Sequence, residues 1–260
     1  MSPAKSLRAR MAESGLVHIM AAHSPFSAIL AEEAGFDGLW ASGFELSALY
    51  GLPDMSLISM TQYLDMLRAI AGRTRLPIVA DIDTNYGSAV VIEDKTFPKV
   101  TSLVADGRQH LLRVEEFQGK IEAAIKARSD PDFLVIARTE ALIASLGEAE
   151  ALHRAHAYAE VGADMILIHS KRANPSEIES FSRAWTRAVP LVIVPNAYPD
   201  RKRSSAALLI GACVYFDRSL RGRGFQIADN ALTAASIAFR SITLGSNCSG
   251  PQRRIFSCSG

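Results

Sequence analysis

Four stretches of this chain, PIVADID, FLVIAR, MILIHS and PLVIVP, are apolar at consecutive positions rather than alternate ones. A strand with one face in water alternates, so continuous Val/Ile/Leu runs describe strands buried on both faces. Such strands belong to parallel sheets covered by helices, and no other feature of the sequence limits the fold as tightly. They fall in runs at Leu76–Asp83, Phe133–Arg138, Met165–His169 and Pro190–Pro195. Three more runs, Leu16–Ala22, Gly38–Ala41 and Ala89–Glu93, join them. Helical patterns lie between most of the seven. Ser24-Pro25 reads as an N-cap followed by proline at the first helical position. Ser59-Met-Thr-Gln62 is a capping box ahead of TQYLDMLRAIAG. Arg113–Arg128 and Gly147–Val161 are amphipathic, and Asn174-Pro175 opens a further helix. Residues 208–216, LLIGACVYF, offer an eighth strand. At 260 residues the alternation predicts one α/β domain, a (β/α)8 TIM-like barrel. No Gly-rich dinucleotide fingerprint follows the first run, which disfavours an open doubly wound sheet.

One connection breaks the pattern. The third run ends in DIDTNYG and the fourth starts with SAVVIED, almost without a gap. Parallel neighbours are ordinarily joined by a crossover of a dozen residues or more. Either the fourth run is not a parallel neighbour of the third, or one helix is absent.

Composition matters at the two ends of the chain. The first fifteen residues, MSPAKSLRARMAESG, are charged and hold no apolar signal core. No stretch approaches the ~18 apolar residues of a membrane span. The three cysteines cannot staple a disulfide scaffold. A cytoplasmic protein with no membrane partner is expected. The net charge of +1 gives no global field for nucleic acid. That average hides a split: residues 200–260 carry 9 Lys/Arg and 3 Asp (9 − 3 = +6), and residues 1–199 carry the opposite excess (19 − 24 = −5). The last 61 residues hold every Cys and no Glu. The expected division is a barrel over 1–199 and a divergent C-terminal segment over 200–260. Arg221-Gly222-Arg223-Gly224 in that segment is too short to argue for RNA. The sequon at Asn247-Cys248-Ser249 is idle without secretion.

Polar residues end the apolar runs, and the C-terminal strand ends of a parallel barrel carry its chemistry. They are Ser42-Gly43, Asp81 and Asp83, Glu93-Asp94-Lys95, Arg138 and Glu140, His169, and Asn196. A single Asp after a strand is commonly a turn or helix cap, and a single His is commonly a satisfied core residue. Charge at five apolar strand ends is costly without a use. Converging carboxylates supply hard oxygen ligands of the kind Mg²⁺ or Mn²⁺ takes. Arg138 and His169 could meet an anionic substrate. The pattern alone describes a metal-dependent barrel enzyme acting on a small anion.

The stretches AAHSPFSAILAEEAGFDGLWASGFELSALYGLPD, LPIVADIDTNYG, VIEDKTFPK, DGRQHLLRVEEFQGKI, FLVIARTEALIASLG and GADMILIHS resemble the phosphoenolpyruvate mutase/isocitrate lyase superfamily over about residues 6–199. The resemblance implies a (β/α)8 barrel with Mg²⁺ at its mouth, Mn²⁺ or Co²⁺ serving as substitutes. It implies Asp81 as the direct metal ligand, with Asp83 and Glu93 holding waters on the ion. Asp54 of LPDMS would lie beside them at the substrate. Trp40, Ser42, Gly43 and Phe44 would line the pyruvyl end. Arg138 and His169 would contact the anionic groups, and Lys99 would ride on a mobile loop with PKVTSL. Lyases of this superfamily carry a loop Cys, and here no Cys precedes position 213. Thr96, Thr101-Ser102-Leu103 and Asp106-Gly107-Arg108-Gln109 instead match the branch that hydrolyses the P–C bond of phosphonopyruvate. On that pattern Thr96 would place the phosphoryl group or the attacking water. The alternatives are a mutase-like enzyme and a catalytically inactive relative with a non-enzymatic role. The partner implied is a small phosphonate or 2-oxo acid, and a homo-oligomer, dimer or tetramer, is expected. Two departures stand out. About twenty residues, the helix between the third and fourth strands, are missing at Gly87-Ser88, and the family pattern fades beyond Tyr198-Pro199.

Overall fold

The computed structural model describes residues 3–81, 88–102, 109–172, 174–194 and 213–217. Eight strands close a barrel in the order of the sequence. The first seven are β1 (Leu16–Ala22), β2 (Gly38–Ala41), β3 (Ile78–Asp81), β4 (Ala89–Glu93), β5 (Leu134–Thr139), β6 (Met165–Ile168) and β7 (Leu191–Ile193), each parallel to the next. Helix α1 (Pro3–Ser14) precedes β1, and α2 (Pro25–Glu33) links β1 to β2. Helices α3 (Gly43–Leu49) and α4 (Met60–Ala71) link β2 to β3. Then α5 (Val114–Ala127), α6 (Glu148–Glu160) and α7 (Ser176–Ala184) follow β4, β5 and β6. Among the described residues no helix is long and apolar enough to cross a membrane.

The continuous apolar runs are explained by two cores. Val17, Ile19, Ala21, Val79, Val91, Ile136, Leu167 and Val192 point inward. Leu7 and Met11 of α1 join that inner set, which places α1 against the barrel interior. The intervening residues point outward. Met20, Leu39 and Ile78 meet Ala28, Leu46, Leu67 and Ile70 of the helices over β1–β3. Val90, Val135, Ile166 and Leu191 meet Phe117, Tyr158 and Phe181 over β4–β7. The Ser59 capping box forms, and the Ser24 N-cap proves to be a capping box as well: the side chains of Ser24 and Ser59 accept from the amides of Ser27 and Gln62.

The short third connection resolves in favour of a missing helix. Strand β4 does pair in parallel with β3, Val79 facing Ala89 and Asp81 facing Val91. In this register the chain returns only two residues' rise, about 7 Å, while stepping one strand sideways, about 4.8 Å. The residues between Asp81 and Ala89 are too few for a crossover of a dozen or more. What is lost is the cover over the seam. A groove of about 500 Å³ lies between β4, the loop after it and α5, lined by Ile92, Phe97, Phe117, Ala123, Ala124 and Ala127 among others.

The eighth strand departs from a regular (β/α)8 barrel. Strand β8 (Cys213–Asp217) runs antiparallel to both neighbours, Asp217 facing Leu16 on one side and Leu191 on the other. An antiparallel return starts at the end where β7 finishes, so it needs no crossover to the far side of the barrel. Consequently β8 brings its first residue, not its last, to the mouth.

Candidate active site

Side chains from β2 to β6 converge at the C-terminal mouth. Asp81 ends β3, and the Trp40 indole N–H from β2 donates to its Oδ2 at 3.3 Å. Asp81 shares a cavity of about 80 Å³ with Gly43, Ser47, Asp54, Ser56, Tyr63, Glu93 and Lys99. Tyr63 of α4 anchors the rim, its hydroxyl donating to the Ala41 carbonyl at 2.6 Å. Gly43 starts α3 so near β3 that a Cβ there would lie 3.3 Å from the Asp81 carbonyl oxygen. Ser42 is buried and caps α3, its hydroxyl accepting from the Glu45 amide at 3.2 Å. The hydroxyl proton stays available to a ligand. Lys99 straps the mouth, its Nζ 2.9 Å from Asp54 Oδ1 and 3.9 Å from Glu93 Oε1.

Glu93 and Arg138 are direct neighbours across the β4–β5 pairing. The Arg138 Nε lies 3.6 Å from Glu93 Oε2 and bonds Glu140, whose side chain is fully buried. Glu140 is the hub of a second layer. Its Oε2 is 3.1 Å from Lys95 Nζ and accepts from the Ser102 hydroxyl at 2.8 Å. Lys95 also donates to Ser102 Oγ at 2.6 Å and to the Val100 carbonyl at 3.0 Å, fastening the loop after β4 to the barrel. Behind it, Asp94 accepts from the Glu140 amide at 2.9 Å and from the Tyr158 hydroxyl at 2.7 Å. Arg154 completes this buried group, 3.2 Å from Asp94.

His169 follows β6, its Nδ1 3.1 Å from an Arg138 terminal nitrogen. A guanidinium only donates, so Nδ1 accepts and the ring proton sits on Nε2. Burial, with the Arg138 charge beside it, holds the imidazole below its usual range against the opposing pull of Glu140. Burial pushes the Asp81 carboxyl up, opposed by Arg138 and Lys99 and aided by Asp54. Burial likewise raises Glu93 against the pull of Arg138. Glu140 behaves oppositely: burial is outweighed chiefly by the Arg138 charge, with Lys95 assisting, and the carboxyl is held well below the ordinary carboxylate range.

The residues present fit a hard divalent cation. Asp81 and Glu93 are oxygen donors whose ionised forms are starved of solvation, and Glu93 Oε1 is buried with no hydrogen-bond partner among the described residues. Among the described residues no three His, Cys, Asp or Glu side chains gather closely enough to enclose an ion directly. Mg²⁺ is commonly held by one or two carboxylates together with substrate oxygens and water. Asp83 and Asn196 lie outside the described residues.

The remaining sequence-derived residues divide. Trp40, Ser42, Gly43, Asp54, Asp81, Glu93, Lys99, Arg138 and His169 gather at the mouth. Phe44 turns its ring outward, 47% exposed. Thr96 lines the groove along α5 together with Glu93, Lys95 and Lys99, and its hydroxyl donates to the His110 carbonyl at 3.3 Å. The loop residue that does touch Arg138 is Ser102, at 3.3 Å. The roles of Lys95, Ser102 and Ser56 were not read from sequence. Lys95 and Glu140 did carry a signal, since both stand at apolar strand ends.

Fold and site together define a barrel enzyme of the phosphoenolpyruvate phosphomutase family, and the chain belongs to that family, matching it over residues 7–210. Among its relatives, the phosphonopyruvate hydrolase of Variovorax sp. (strain Pal2) is 50% identical over 240 residues, 85% of this chain and 83% of that protein. The phosphoenolpyruvate phosphomutase of Tetrahymena pyriformis is 45% identical over 200 residues, 70% and 67% of the two chains. A crystal structure of phosphonopyruvate hydrolase with oxalate and Mg²⁺ superposes with a TM-score of 0.70 at 49% identity, covering 81% of this chain and 78% of that one.

Proposed function

We propose that this protein hydrolyses the P–C bond of phosphonopyruvate, giving pyruvate and inorganic phosphate, with Mg²⁺ as cofactor. The observation that carries this reading is the meeting of Asp81, Glu93, Lys99, Arg138 and His169 at one mouth, in a chain half identical to a phosphonopyruvate hydrolase. Asp81 and Glu93 would hold the cation, which when bound would supply Lewis-acid stabilisation of negative charge on the pyruvyl oxygens. The chain's own residues do the rest. Trp40 and Asp54 shape the pyruvyl end, and Gly43 with the Ser42 hydroxyl receives the carboxylate there. Arg138, fixed by Glu140 and Glu93, offers its terminal nitrogen to phosphonate oxygens, and the His169 Nε2–H adds a second donor. When the P–C bond breaks, its electron pair stays on carbon as pyruvate enolate, which takes a proton. The phosphoryl group takes the oxygen of water. Lys99 and the loop held by Lys95 limit how water enters. We infer that Thr96, whose hydroxyl is held by the His110 carbonyl, does not itself contact the substrate.

Phosphorus NMR on the full chain with Mg²⁺ tests the reading. Inorganic phosphate together with pyruvate supports it. Phosphoenolpyruvate as the main product would make the enzyme a mutase, like the Tetrahymena relative. Mn²⁺ and Co²⁺ are inferred to replace Mg²⁺, since an oxygen-donor site selects weakly among them. A homo-oligomer, dimer or tetramer, is supported by a run of outward apolar side chains, Phe44, Leu49, Tyr50, Met55, Leu57 and Met60. Light scattering that gives a monomer mass would refute it. A cytoplasmic location is inferred from the small, water-soluble substrate.

A further inference from the structure

Ser56 lies between α3 and α4 with φ at +58°, in the left-handed region that non-glycine residues seldom enter. The turn has a directional effect. Met55 and Leu57 on either side face solvent, 39% and 54% exposed, while Ser56 lines the mouth cavity with Asp54, Asp81, Glu93 and Lys99. Its Oγ is buried there and has no hydrogen-bond partner among the described residues.

Serine is a poor choice at this position on grounds of folding alone. Glycine would take the same turn without the steric penalty of a Cβ. Alanine would bury no hydroxyl. Backbone strain and an unpaired buried polar atom at one residue are the two marks that cluster where a ligand repays them. A second buried oxygen without a hydrogen bond, Glu93 Oε1, lines the same cavity, its nearest cation the Lys99 ammonium at 3.9 Å. A carboxylate oxygen accepts only, whereas a hydroxyl both accepts and donates. One occupant that satisfies both is a hydrated cation, and Mg²⁺ keeps several of its waters in protein sites.

We propose that Ser56 is a binding residue of the mouth cavity, its hydroxyl holding a water in the hydration shell of the divalent cation. This rests on the cation reading given above. Partners outside the direct ligands typically change metal affinity about 10-fold to 100-fold, so the contribution is measurable without turnover.

The test is Mn²⁺ titration of the full chain, followed by electron paramagnetic resonance of the free ion, together with metal-free thermal melts. Four forms are compared: wild type, Asp81→Ala, Ser56→Ala and Ser56→Gly. Both Ser56 variants should bind Mn²⁺ about tenfold more weakly than wild type. Their metal-free melting temperatures should not fall, and Ser56→Gly should melt at or above wild type because it relieves the turn. Unchanged Mn²⁺ affinity in Ser56→Ala and Ser56→Gly, with wild type binding and Asp81→Ala not, overturns the role of Ser56 and leaves the cation site standing. A lower metal-free melting temperature with unchanged affinity marks a structural turn residue and also overturns it. No Mn²⁺ binding by wild type overturns the cation site and this inference together.

Discussion

Glu140→Gln removes one charge without changing shape, and the structure sets a large cost for it. The carboxylate is fully buried between Lys95, 3.1 Å away, and Arg138, bonded through Nε. At an effective dielectric of about 20, one such pair attracts by about 5 kcal/mol. Relief of the repulsion from Glu93 returns part of this, and the newly unmasked repulsion between Lys95 and Arg138 adds to the loss. Breaking one member out of a buried ion group typically costs about 3–5 kcal/mol, a large share of the ~5–15 kcal/mol that holds a domain folded. In urea, with a slope near 2–3 kcal/mol per molar, the midpoint should fall by about 1–2 M. The pH dependence gives a second reading. The folded pKa of Glu140 lies well below its ordinary value of 4.5. Its stabilisation is therefore complete above 4.5 and is lost as pH falls toward the folded value. Wild type should lose urea resistance on acidification through that window, and Glu140→Gln should lose distinctly less. Equal midpoints near neutral pH, or the same acid slope in both proteins, would refute the assignment of Glu140 as the buried counter-charge.

Three other outcomes follow from the geometry. His23 is held above its usual 6.5 by its hydrogen bond to Glu45, against the opposing effect of burial. Its stabilisation is present below 6.5 and lost as pH rises through the folded value. The melting temperature of wild type should exceed that of His23→Gln on the acid side and converge with it on the alkaline side, and a constant difference would count against the pair. Thr96→Leu should keep phosphate release within about threefold of wild type, because the hydroxyl serves the His110 carbonyl; a hundredfold loss, about 2.7 kcal/mol of transition-state stabilisation, would return Thr96 to the site. Inserting about twenty residues of amphipathic helix with loops after Gly87 should cover the groove along α5, raise the melting temperature and reduce binding of a hydrophobic dye. Unchanged dye binding in a folded insertion variant would show that the groove is not the seat of a crossover helix.

Strand placement was legible because a strand buried on two faces must be apolar at every position, and the runs at Leu16–Ala22, Gly38–Ala41 and Ala89–Glu93 match the observed strands residue for residue. Strand-end residues were legible for the same reason: a charge that interrupts such a run can only sit where the barrel opens. The direction of β8 was not. An apolar run reads the same in either direction, and direction is set by whether the preceding link crosses the barrel. Loop side chains were also hidden, because a loop has no period to say which way each one turns. Thr96 and Ser102 differ little as sequence, yet Thr96 bonds outward to His110 while Ser102 bonds inward to Lys95, Glu140 and Arg138. The inward turn of Ser102 follows from Lys95. That ammonium is buried beside Glu140 and must find oxygen acceptors, and it takes them from Val100 and Ser102. A buried lysine at a strand end therefore fixes the course of the loop that follows it. By that route the strand-end charges, which could be read from sequence, also determine which loop hydroxyl reaches Arg138.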